Sequence, residues 1–448
     1  MPRMSGPILN PLARRTHERA GLPVFRGAFP ALGHLPALAS DPLGLDRIAE
    51  REVGPLYWTD TGFGRWQLRC LSPESFDLFK NVQTSSDYVG ETLPDLFGRS
   101  VITLDGKPHR HARSVMGPAF TPGGLSAARV GSLFADVIER HVHEWIDRGV
   151  ITTLASTREL VLALILRMLG VPERDLDVWR RDYEDHMLLA LGVPLDLPGT
   201  PRRRGLTAKA RLDERIGALV REARAGSDTT VLAQLSRAKD EHGEPLADAE
   251  LLDNLRLLIL AGHETTATVI AWLIAYLAES PSLLERLQSE ATDVPRAPGD
   301  LRAFRFAEAL FREVLRLQPP VARDARRAVV DLEIAGRRVP AGSIVAISIE
   351  LLSRSPRTYE DPDSFVPERW MGKTAPPTAL ELVQFGAGPH FCLGYHVAWL
   401  EVVQTSVILA RALRARGARL ALDGRFPRVR HLPLRHPDAS SRVRFVRG

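Results

Sequence analysis

The chain has 448 residues, 44% hydrophobic and 25% charged, with a formal net charge of +5. That apolar share is enough for a substantial core. Length alone would allow about three domains, but no linker, low-complexity tract or repeat interrupts the sequence, so one domain over 1–448 is expected. Two cysteines, Cys70 and Cys392, exclude a disulfide framework and a Cys-rich zinc site, and set a reducing, cytoplasmic compartment as the default. The basic balance comes almost wholly from arginine. No basic stripe interleaved with aromatics is present, so nucleic-acid binding is not expected; a basic docking face for an acidic protein partner fits better.

In chain order, 1–15 carry positive charge but no apolar core of signal-peptide length. The β-like stretches 55–60 and 65–71 bracket Gly62-Phe63-Gly64 and predict a hairpin. Pro108 can start a helix that carries His109 and Arg113 at i, i+4. The apolar run 251–277 is interrupted by Arg256, His263 and Glu264, which would be costly at a bilayer centre, so it predicts a core helix and no membrane anchor. That helix should begin near Asp248 as N-cap and stop at Ser280-Pro281. Its roughly 30 residues at 1.5 Å each would span about 45 Å. A second β-like zone runs over 328–350, and a last helix from Tyr395 to about Arg414. Between and after these zones most of the chain has helical periodicity, so the fold class is mainly α with a minor β part.

Two segments break the rules of plain structure. Ala261-Gly262-His263-Glu264-Thr265-Thr266 places a glycine, about 1 kcal/mol worse than alanine, beside a carboxylate in mid-helix. Such costs are typical of active sites. In the other, Phe385 to Gly394, Cys392 stands in a glycine-rich loop before the last helix. A helix N-terminus lowers a thiol's pKa and its free N–H groups can bond the sulfur. Set beside glycines that let a flat group approach, this is an axial thiolate for haem iron. A buried structural cysteine is the bland alternative.

Phe385, Gly388, Cys392 and Gly394 match the Phe-x-x-Gly-x-x-x-Cys-x-Gly pattern, and the chain resembles the cytochrome P-450 family over nearly its whole length. The resemblance implies that fold, with the long central helix lying over haem b, and O2 as co-substrate. Ala261 to Thr266 resembles the family's oxygen-activating motif. Ala261 and Gly262 would let the helix pass over the porphyrin, the Thr265 hydroxyl would hydrogen-bond bound oxygen, and Glu264 would feed protons through water. His109, Arg113, Arg326 and His390 match the propionate-binding positions, and Cys392 the metal ligand. Glu313, Arg316 and Arg369 match a bracing triad, with Trp370 standing where phenylalanine is usual.

What departs is the pocket wall. Ala322-Arg323-Asp324 puts charge where small or apolar residues are common in the family; either it anchors a polar group of the substrate, or Arg323 and Asp324 pair away from the pocket. Segments 87–99 and 187–201 are expected to gate that pocket. The implied activity is a monooxygenase acting on a hydrophobic terpenoid, polyketide, fatty acid or steroid in bacterial specialised metabolism. A monomer is expected. The roughly 56 residues after Cys392 are too few for a fused reductase, so electrons from NAD(P)H would arrive through a ferredoxin or flavodoxin with its reductase. Lys107, Arg110 and the arginines of the last helix would form the docking face. The alternatives are an H2O2-dependent peroxygenase of the same fold and a non-catalytic haem-thiolate binding protein.

Overall fold

A computed structural model describes residues 6–372, 377–432 and 434–447. Its axis is the central helix, Asp248–Glu279. Asp248 and Glu250 lie in the first turn, where carboxylates complement the helix dipole; Ala247, not Asp248, occupies the N-cap. The helix ends at Ser280 because Pro281 opens the next one, Pro281–Glu290. Its 32 residues span about 48 Å. It is long and apolar enough to cross a membrane, but most of it is buried inside the protein. The charges that interrupt it are partnered: Arg256 pairs with Asp213 at 2.6 Å and with Asp253.

Around this axis pack the helices Val130–Arg148, Thr153–Met168, Pro201–Ala225 and Arg305–Leu317, and the cysteine helix Tyr395–Ala415. Their apolar faces merge into one large cluster that includes Trp145, Leu164, Trp272, Leu310 and Leu400. Buried Gln404 of the cysteine helix donates to the carbonyls of Gly131 and Pro295 at 2.7 and 2.5 Å, so the helix is positioned by hydrogen bonds as well as by packing.

The largest sheet of the minor β part has seven strands, beside a three-stranded and two two-stranded sheets among the described residues. Leu56–Asp60 and Trp66–Cys70 form the expected antiparallel hairpin. Ile344–Ser348 joins it parallel to Trp66–Cys70, and Arg323–Ala328 follows antiparallel, with Arg326 opposite Val345. Arg326 is thus mounted beside an apolar cluster on the same face of the sheet, containing Leu68, Val345 and Ile347.

Candidate active site

The cysteine loop is held by its own backbone. The Cys392 N–H donates to the Phe385 carbonyl at 2.8 Å, closing the loop between the two ends of the motif. Gly388 has φ +63°, and a Cβ there would lie 2.6 Å from the Phe79 carbonyl oxygen, so this position requires glycine. The Gly394 N–H reaches the Cys392 sulfur. Burial nevertheless pushes the thiol up, outweighing that N–H and the nearby Arg113 guanidinium.

Behind the loop, Glu313 is fully buried and fully engaged. It accepts from Arg316 Nε and Nη2 at 2.9 and 2.7 Å, Arg369 Nε at 3.1 Å, Trp370 Nε1 at 2.8 Å and the Val366 N–H at 2.8 Å. Arg316 adds bonds to the carbonyls of Pro362 and Ser364. The triad exists, and the tryptophan that replaces the usual phenylalanine contributes an N–H to it.

The four cations expected at the propionates fall into two kinds. His390 Nε2 meets Asp105 Oδ1 at 3.0 Å, and Arg326 meets Asp324 at 3.0 Å while lying over the Phe79 ring. His109 and Arg113, on the helix Gly106–Met116, have no carboxylate in hydrogen-bond contact among the described residues. The His109 ring meets that of His390 with centroids 4.1 Å apart and a 34° tilt, and its buried Nε2 has no partner among the described residues. Burial, the neighbouring His390 and Arg113 lower His109 to about 4. Asp105 also accepts from the Ser85 hydroxyl and the Ser86 N–H; against the cost of burial, the His390 bond first and then these two hold its carboxyl at about 2.

On the central helix the run Ala261 to Thr265 opens an otherwise buried surface: Ala261 is exposed and Gly262 and Thr265 are half-buried, between buried Leu260 and Thr266. The Thr265 hydroxyl donates to the Ala261 carbonyl at 2.7 Å. Two expected placements need correcting. A Cβ on Gly262 would lie 3.0 Å from Ile165 Cδ1, so this glycine serves close packing on the helix Thr153–Met168, and Ala261 alone supplies the small exposed position. Glu264 is not a free carboxylate; its Oε2 accepts from Arg158 Nε and Nη2 at 3.1 and 2.7 Å. Beside it, His263 Nε2–H donates to the Arg158 carbonyl and its Nδ1 accepts from the Tyr183 hydroxyl, both at 2.9 Å. Burial favours this neutral ring.

Arg323 and Asp324 do not pair with one another. Arg323 sits with Asp46, Arg69 and Glu350 beneath the sheet, and Asp324 turns to Arg326. Segment 87–99 contains two short helices, Tyr88–Thr92 and Pro94–Phe97, tied at its ends by Arg327 to Asp87 and by the Arg99 N–H to Asp253. Segment 187–201 leaves Leu191, Leu195 and Leu197 more than half exposed. Lys107 and Arg110 are exposed on the helix of His109, whereas Arg411 and Arg414 of the cysteine helix bond carbonyls of Thr292 and Gln288.

Asp105, Arg158, Tyr183 and Glu401, whose carboxyl the Thr266 hydroxyl reaches, were not singled out from sequence. A lone Arg158-Glu159 pair in a helix otherwise rich in leucine was the available signal for one of them. The Thr266 contact also relates the two halves of the site: Glu401 is six residues, about 9 Å of helix, from Tyr395. A sulfur with N–H support, an unpartnered buried imidazole, a guanidinium without a carboxylate and an open helix face together fit a haem held through sulfur.

That arrangement defines a haem-thiolate protein. Residues 203–415 match the family described as Cytochrome P450. The chain is 41% identical over 98% of its length, and 99% of the relative's, to the "Cytochrome P450 BJ-4 homolog" of Sinorhizobium fredii. It is 30% identical, over 87% of its length and 88% of the relative's, to the "Cyclooctat-9-en-7-ol 5-monooxygenase" of Streptomyces melanosporofaciens. A solved structure titled "Retinoic acid bound cyanobacterial CYP120A1" shares the fold at TM-score 0.81 and 22% identity, covering 93% of this chain and 97% of that one. The chain belongs to the cytochrome P450 family and is a monooxygenase enzyme of that family, using haem, O2 and supplied electrons.

Proposed function

We propose that this single-domain, monomeric, cytoplasmic enzyme hydroxylates or epoxidises a hydrophobic small molecule, with a terpenoid first among the substrate classes. Haem b, when bound, supplies the activation of O2 and the insertion of one oxygen atom into a C–H or C=C bond. Cys392 holds its iron and Phe385 shields the sulfur. His109, Arg113, Arg326 and His390 bind its carboxylates, and Ala261 gives it room on the opposite side. Thr265 holds a proton at the open face of the central helix, and Glu264 is the acid beside it. Electrons come from NAD(P)H through a ferredoxin or flavodoxin and its reductase, docking by the exposed Lys107 and Arg110.

The observation that carries this reading is the Arg113 guanidinium near the Cys392 sulfur, on a helix whose His109 ring meets that of His390, two residues before the cysteine. The class of substrate draws support from two relatives, one named for a cyclooctatenol and one solved with retinoic acid. The exposed leucines of 187–201 fit an apolar ligand as well. A place in bacterial specialised metabolism is consistent with the Streptomyces relative. The test is a spectral titration of the ferric protein with terpenoids, polyketides, fatty acids and steroids, followed by turnover with NAD(P)H, ferredoxin and reductase. A terpenoid should give the strongest shift and an oxygenated product. Product formed only with added H2O2 would support the peroxygenase, and no O2 consumption with any compound would support a binding protein.

A further inference from the structure

Asp105 stands at the N-cap of the helix Gly106–Met116, yet its carboxylate makes no capping bond there. Both of its oxygens are engaged elsewhere. Oδ1 accepts from His390 Nε2 of the cysteine loop at 3.0 Å. Oδ2 accepts from the Ser85 hydroxyl at 2.7 Å and from the Ser86 N–H at 2.8 Å, where the chain enters segment 87–99. Ser85 Oγ accepts in turn from the Asp87 N–H at 3.0 Å, which brings the carboxylate's reach to the start of the helix Tyr88–Thr92. That helix has five residues and none is buried, so polar ties rather than packing hold it. A second tie runs through Arg327, which pairs with Ser85 across strands and bonds Asp87 at 2.8 Å and Glu91; it involves no residue of the cysteine loop. With Nε2 engaged by Asp105, Nδ1 is the nitrogen of His390 left to meet a haem carboxylate. The Asp105 carboxyl, at about 2, stays ionised and accepting throughout the neutral range.

We propose that Asp105 is a positioning residue that fixes two things with one carboxylate: the His390 ring toward a haem carboxylate, through Oδ1, and the start of the gating segment, through Oδ2. Seating of the haem and closure over the pocket are thereby coupled. The proposal rests on the reading of His390 as a haem-carboxylate contact and of 87–99 as a gate. Asp105 touches neither haem nor substrate and acts only through His390 and the pair Ser85–Ser86.

Three measurements on the ferric holoenzyme test this without turnover: peptide-resolved hydrogen exchange over 84–92, the rate of haem transfer to apomyoglobin, and the rate of release of 4-phenylimidazole, an apolar ligand to the iron. In Asp105→Ala all three should rise by about 10-fold, the loss expected for hydrogen bonds to a charged group. The propionate bending band in the resonance Raman spectrum should shift, the reduced-CO band should stay, and Asp105→Glu should recover part of each change. Arg327→Ala should speed exchange over 87–92 with haem transfer at the wild-type rate, because its tie bypasses the cysteine loop. Should the alanine variant not fold, Asp105→Asn keeps the test: its single accepting oxygen can serve only one side, so either exchange or haem transfer should still accelerate, and both at wild-type rates overturn the proposal. In Asp105→Ala, faster exchange with an unmoved Raman band and wild-type haem transfer also overturns it. If His390→Ala accelerates haem transfer and Asp105→Ala does not, only the role of Asp105 falls; if His390→Ala is itself silent, the reading of His390 falls first.

Discussion

The sulfur side and the oxygen side of the site are built differently. On the sulfur side, the Cys392 loop closes on its own Phe385 carbonyl, and Glu313 is satisfied by five N–H groups drawn from 313–316 and 366–370. On the oxygen side, every polar residue of the motif except Thr265 is held from another helix. Glu264 is bound by Arg158, His263 by Tyr183 and Arg158, and Thr266 reaches Glu401. A ligand to iron needs a geometry fixed before the metal arrives. Groups that pass protons need partners that can exchange bonds, and packed neighbouring helices provide them.

The largest effect should come from breaking the sulfur side's brace. Removing one partner of a buried pair leaves an uncompensated charge, so Glu313→Gln or Arg316→Ala should cost about 3–5 kcal/mol and reduce haem retention. Thermal unfolding and haem content check this. Thr265→Ala should leave both almost unchanged while diverting electrons to peroxide, lowering product per NAD(P)H. Equal product yield would make the oxygen-side motif structural.

This contrast also explains what could be read from the sequence. Cys392 and Gly388 sit in one loop and Glu313 with Arg316 on one helical turn, patterns whose spacing reflects local backbone; the contact of Glu313 with Arg369, 56 residues on, followed from the family resemblance. The hairpin at Leu56–Asp60 and the end of the central helix at Pro281 were legible for the same reason, since turns and prolines act within a few residues. The packing role of Gly262 was not, because it depends on Ile165, nor was the Arg158 pair, because two distant helices meet only after folding. Arg323 and Asp324 follow the alternation of a strand, which sends neighbours to opposite faces, so a mutual pair was not available to them.

A smaller effect should appear at Asp105. Its folded-state carboxyl, at about 2, lies below the ordinary value, so the stability it contributes is present above the unfolded pKa of about 3.9 and is lost as pH falls toward about 2. In Asp105→Asn that part of the acid-side slope should vanish from melting curves between those limits. The smallest should be at the docking surface: Arg110→Glu should raise the apparent KM for ferredoxin, and turnover should weaken as salt shortens the Debye length from about 10 Å at 0.1 M to about 3 Å at 1 M. Indifference to both would leave Arg110 as solubilising charge.

The central claim is that a thiolate from Cys392 holds haem iron. It is tested most directly by the spectrum of the reduced, CO-bound protein. The wild type should show the red-shifted Soret band of thiolate ligation, and Cys392→Ser, in a loop still closed by its backbone bond to Phe385, should lose it. The same band persisting in the serine variant would contradict the assignment.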